Sequence, residues 1–166
     1  MRRILILLGA VISALALGAT AAHADNPHFI RADGNIGGDG ALTVSFKEAG
    51  LGTNQNIDYV LTADATATWV CVNRGGSNPS AQNKTTVAGP VSAGGTFNSG
   101  KNGSVSASLT VSPPPSDISC PGGQSLQLAQ VSYTNVSLTD TTNGVSAIVD
   151  GTFDSGCLLP NVRGAC

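Results

Sequence analysis

Apolar and polar residues alternate along this chain in short runs. Residues 41–47 (ALTVSFK) put Leu42, Val44 and Phe46 on one face and Thr43, Ser45 and Lys47 on the other. A period of two marks a half-buried strand. Residues 57–73 (IDYVLTADATATWVCVN) alternate at first through Ile57, Tyr59 and Leu61, and then lose their polar face near Val70, Cys71 and Val72. We read them as two strand segments at the centre of a sheet. Residues 26–33 suit an edge strand, with Phe29 and Ile30 as its apolar content and Pro27 at its start. Residues 84–92 read as a weak edge strand holding Pro90.

Val105, Ala107, Leu109 and Val111 define one face of a further strand, stopped by the prolines at 113–115. Residues 126–138 read as a strand pair or one long bent strand. Leu126 and Leu128 fall on one face and Val131 and Tyr133 on the other, so an extra residue near Ala129 would act as a bulge. Residues 145–153 form the return strand. Asn102-Gly103 and Asn143-Gly144 are hairpin-turn signals. Residues 33–40 (DGNIGGDG), 48–56 and 74–83 read as loops. No stretch holds a helical period. The expected fold is an all-β, immunoglobulin-like β-sandwich of about seven to nine strands.

The first residues change where this fold should work. Arg2 and Arg3 precede an uncharged apolar run, and Ala22-His23-Ala24 supplies a small-x-small site. Residues 1–24 therefore read as a cleaved signal peptide, 25–156 as the sandwich domain, and 157–166 as a disulfide-closed tail. Losing Arg2 and Arg3 from eight Lys and Arg, against ten Asp and Glu, leaves about −4 at neutral pH. A mildly acidic, charge-poor surface excludes nucleic-acid binding by a basic patch. The mature chain has no run long enough to span a bilayer. The expectation is a secreted monomer whose partner is an extracellular ligand or protein.

Four cysteines in an exported chain allow three pairings, of which Cys71–Cys120 with Cys157–Cys166 is preferred. The alternative for Cys166 is a free or intermolecular thiol.

Candidate chemistry is sparse. His28 alone survives removal of the signal, which leaves no histidine-based triad or zinc site. The carboxylates are nine Asp and one Glu, and the candidate neighbours are Asp58 with Asp64 and Asp150 with Asp154, while Asp140 and Asp150 flank a hairpin. These suit solvated turns better than an acid–base pair. Asp33, Asn35 and Asp39 in the glycine-rich loop are the weak metal candidates, able to offer oxygen to calcium, though neither an EF-hand nor a repeat is present. Trp69 and the tyrosines fall on core faces, leaving Phe97 as the loop-like aromatic for a sugar. The chain reads as non-enzymatic, with no cofactor, acting by binding or as a structural part outside the cell. The alternatives are a small-ligand carrier or secreted hydrolase inhibitor, and a carbohydrate- or calcium-binding module.

Three segments, VSFKEAGLGTNQNIDYVLTADATATWVCVN, LTVSPPPSDISCPGGQ and VSYTNVSLTDTTNGVSA, carry a resemblance. Over residues 29–153 the chain resembles a family of small secreted, uncharacterised actinobacterial β-rich proteins. The resemblance implies a signal peptide, a β-rich fold and Cys71 paired with Cys120. It transfers no catalytic or binding residues. In composition the chain is also similar to the secreted enediyne-binding apoproteins, which is a likeness of fold only.

Overall fold

The structure, a computed structural model, describes residues 26–73 and 83–166. The expected signal peptide and nearly all of the 74–83 loop lie outside those residues. Eight strands form among the described residues, and no helix there is long and apolar enough to cross a membrane. They are β1 (His28–Ile36), β2 (Leu42–Ala49), β3 (Asn56–Asn73), β4 (Lys84–Asn98), β5 (Ser104–Val111), β6 (Gln124–Asp140), β7 (Val145–Ile148) and β8 (Phe153–Asp154). The expected all-β sandwich is what they build. One sheet runs β1-β2-β5; the other runs β4-β3-β6-β7, with β8 pairing β6. All pairings are antiparallel.

The period-two pattern explains the core directly. Leu42, Val44 and Phe46 of β2 and Val105, Leu109 and Val111 of β5 face Ile57, Tyr59, Leu61, Ala65 and Ala67 of β3, with Val131, Tyr133 and Leu138 of β6 beside them. The second sheet is bent by two irregularities in the β3–β6 register. One falls where Thr68 pairs Gln130 and Trp69 pairs Leu128, so Ala129 is the extra residue that the sequence calls for. The other falls at Asn135, whose φ of 51° is left-handed and whose Nδ2 donates to Asp64 at 2.7 Å. A bulge realigns the faces, so both halves of β6 point apolar residues inward.

Residues 57–73 form one continuous strand rather than two segments. The loss of its polar face has a specific cause. Val70, Val72 and Ala129 form a second small core on the outer side of the sheet, under Ala165, Leu159 and Val162 of the C-terminal tail. Cys71–Cys120 and Cys157–Cys166 are both formed, as expected. In the loop-entropy account the first contributes roughly 4 kcal/mol and the second roughly 2.5 kcal/mol. Trp69 is only half-buried at the rim of the main core, and its Nε1–H donates to Pro114 O at 3.0 Å.

Several expectations need correcting, among them the return strand over residues 145–153, which is broken into β7 and β8. Asn102-Gly103 does turn the chain, but not into a hairpin, because β4 and β5 belong to different sheets. The turn is pinned instead to the loop before β3, by Leu51 N–H to Gly103 O at 3.0 Å and Asn54 N–H to Gly100 O at 2.7 Å. Residues 33–36 are strand rather than loop, so the glycine-rich turn is confined to the four residues that follow. Glu48 is not in a loop either: β2 runs on to Ala49, and Glu48 is 0% exposed.

Candidate functional site

Among the described residues a concavity lies beneath the segment joining β7 to β8. Two adjoining cavities of about 410 and 300 Å³ share residues 151–154 as a wall. The larger is completed by residues 132–136 of β6 and by Val149; the smaller by residues 34–36 of β1 and by Asp150. Both open to solvent.

The wall stands where it does because β7 is short. Val149 N–H bonds Val136 O at 2.9 Å, which ends the β6–β7 ladder, and the chain then crosses towards β1 before Phe153 pairs with Tyr133. Phe153 is the pivot. Its ring occupies the space over two glycines: a Cβ on Gly34 would lie 2.4 Å from it, and one on Gly151 would lie 3.0 Å away. Gly151 also has a φ of 145°, open only to glycine at low cost. The ring thus forms the floor, with Tyr133 beside it. Ser132, Thr134, Asn135 and Thr152 supply neutral hydrogen-bonding groups. Asp154 is engaged, accepting from Gly156 N–H at 2.7 Å and Gln130 Nε2 at 3.2 Å.

The metal candidates are not brought together. The carboxylate of Asp33 meets Arg31 at 3.5 Å on the exposed face of β1. Asn35 donates from Nδ2 to Ile36 O at 3.4 Å and lies on the rim of the smaller cavity. Asp39 caps its own turn, accepting from Ala41 N–H at 3.0 Å. Among the described residues no three His, Cys, Asp or Glu side chains cluster. The glycine-rich turn instead docks the small sheet on the large one. Gly40, at φ 82°, presses against Leu128 and Val131, and its carbonyl accepts from the Tyr133 hydroxyl at 2.7 Å. Burial, with Asp39 nearby, pushes that phenol up to about 12.

Of the carboxylate pairs, Asp58 accepts from Thr96 Oγ1 and Asp64 from Asn135, both on the outer face of the large sheet. Asp150 and Asp154 do reach one groove, the smaller cavity. Phe97 is no platform: it lies in β4, its ring 5.9 Å from Tyr59 and 6.0 Å from Phe46.

The acid that matters most lies in β2, at the start of the 48–56 stretch that reads as a loop. Glu48 continues the inward series Leu42, Val44, Phe46 in step, so the alternation itself signals a buried carboxyl. Neither of its oxygens, nor the Tyr59 hydroxyl across from it, makes a hydrogen bond of standard geometry. The two groups are still close enough to perturb each other. Burial raises the Glu48 carboxyl to about 7, against the easing effect of Tyr59, and the nearby Asp140 adds to the rise. Burial and Glu48 together push the Tyr59 phenol well above its ordinary range.

Set against known protein families and curated proteins, the chain matches no family and no individual protein.

Proposed function

We propose that this chain is exported and acts outside the cell as a non-enzymatic binding protein, with the groove beside residues 149–154 as its site. The groove carries the reading. The larger cavity, about 410 Å³, falls within the range of small-molecule sites. Its lining joins two ring-bearing side chains, Tyr133 and Phe153, to hydroxyl and amide groups. That mixture suits a small polyhydroxylated ligand, such as a sugar unit, better than a charged one. The carrier alternative uses the same groove. Among the described residues no histidine or cysteine lines either cavity, and of the two carboxylates on the smaller one Asp154 is occupied by its own loop, which leaves Asp150 without a nucleophile beside it. Two disulfides fit an oxidising compartment.

The test is a glycan and small-molecule binding screen of wild type beside Thr152→Trp, which fills the groove from an exposed position. We expect a ligand held by wild type and lost at least tenfold by the variant, with an unchanged melting temperature. Turnover of a substrate that disappears in Asp154→Ala would overturn the non-enzymatic reading. So would a ligand indifferent to Thr152→Trp, as regards the groove.

A further inference from the structure

Glu48 is the only glutamate in the chain, and it is wholly enclosed. It enters the core from the small sheet, next to Phe46. Facing it from the large sheet are Tyr59 of β3 and Asp140 at the end of β6, which pair with each other across the strands. The rings of Phe46, Phe97 and Phe29 lie 4.7, 5.9 and 6.3 Å from that of Tyr59, so the surroundings are apolar.

Asp140 is also 0% exposed, but it is fully engaged. Its carboxylate accepts from Thr142 N–H at 2.8 Å, Asn143 N–H at 2.9 Å and Asn143 Nδ2 at 2.6 Å. Those bonds build the turn from β6 into β7. His28 on β1 is the one cation-forming neighbour that bears on Glu48. Lys47 points to the other face of β2, and Lys101 is exposed. β5, β7 and the loop before β3 contain no titratable side chain, and Lys84 of β4 lies at the far end, opposite Val70.

Two carboxylates sharing a dry space cannot both be charged cheaply. Asp140 has three donors and Glu48 has none, so Glu48 is the acid on which a proton costs least. We propose that Glu48 is a proton-dependent latch on the β6–β7 hairpin. While neutral it lets the small sheet close over the Asp140 turn. Once charged it repels Asp140 and loosens that turn, β7 and the chain leading from β7 to residues 149–154. The latch stands whether or not the groove takes a ligand.

The lone glutamate makes the test direct. The folded, disulfide-bonded protein, labelled with carboxyl-¹³C glutamate, gives one side-chain resonance. Its midpoint is expected near 7, far from the ordinary 4.5. Hydrogen exchange, corrected for intrinsic rate, should speed at least tenfold in β7 between pH 5 and pH 8, while the central amides of β3 stay protected. Glu48→Gln, and Glu48→Leu in case the first variant folds poorly, should each remove that acceleration. A midpoint near 4.5, or a pH-dependent β7 that persists in the variants, overturns the latch.

Discussion

The sandwich core holds two tyrosines, and the two are finished differently. At the end near the glycine-rich turn, the Tyr133 hydroxyl has a partner, the carbonyl of Gly40, and the turn is shaped to bring that carbonyl in. At the opposite end Tyr59 has a hydroxyl without a well-formed bond, facing a glutamate in the same condition and a second buried acid. Both rings are buried, so hydrophobic burial does not separate them. What separates them is polar completeness. The first end is a rigid joint between the sheets; the second holds a proton where a bond would otherwise be.

The sharpest way to break the joint is Gly40→Ala. A Cβ there would meet Leu128 at 2.4 Å, on a backbone at φ 82°. Left-handed strain and overpacking together should cost about 4 kcal/mol in urea unfolding. Next in size is the pH response of the opposite end. The Glu48 carboxyl sits near 7 in the folded chain, against 4.5 in the ordinary state. The folded form therefore holds a proton that the unfolded chain has already released. Its contribution is complete below pH 4.5 and is lost as pH rises through 7, a decline of about 3 kcal/mol. Unfolding of wild type against Glu48→Gln across that window measures it, with the variant flat. Smallest, and most telling for the comparison, are the phenylalanine substitutions. Tyr133→Phe strands a carbonyl and should cost about 1–2 kcal/mol, whereas Tyr59→Phe at pH 5 should cost about 0.5 kcal/mol or less. Equal losses from the two would erase the distinction.

Much of this frame is visible in the residue pattern, and the reasons are local. Leu42, Val44 and Phe46 must share a face at a period of two, and the slip at Ala129 is audible in the same rhythm. Of the three pairings open to four cysteines, the preferred one, Cys71 with Cys120 and Cys157 with Cys166, is the one formed. Other features depend on neighbours that no short window contains. Asn102-Gly103 specifies a reversal but not which sheet receives the next strand. The groove draws on residues 34–36, 132–136 and 149–154, which share no signature. Glu48 is hard to place for a different reason. Its polarity argues for a loop, and its position in the alternation argues for the core; the position is the better guide. Phe97 shows the reverse, an aromatic that stands in loop-like company and packs, half-buried, against the core.

The pairing of β2 with β5 gives Glu48 one more role. Strand β5 comes well after β2 in the chain, with all of β3 and β4 between them, so the β2–β5 pairing carries the larger loop-closure cost of a long-range contact. Until that pairing forms, the stretch around Val44 and Phe46 is exposed and prone to stick to copies of itself. An ionised glutamate beside it is a gatekeeper against that association, and the same side chain gives up its charge once the partner strand arrives. The apolar strand thus carries a full charge beside it while unpaired, and a disfavoured one once it is enclosed.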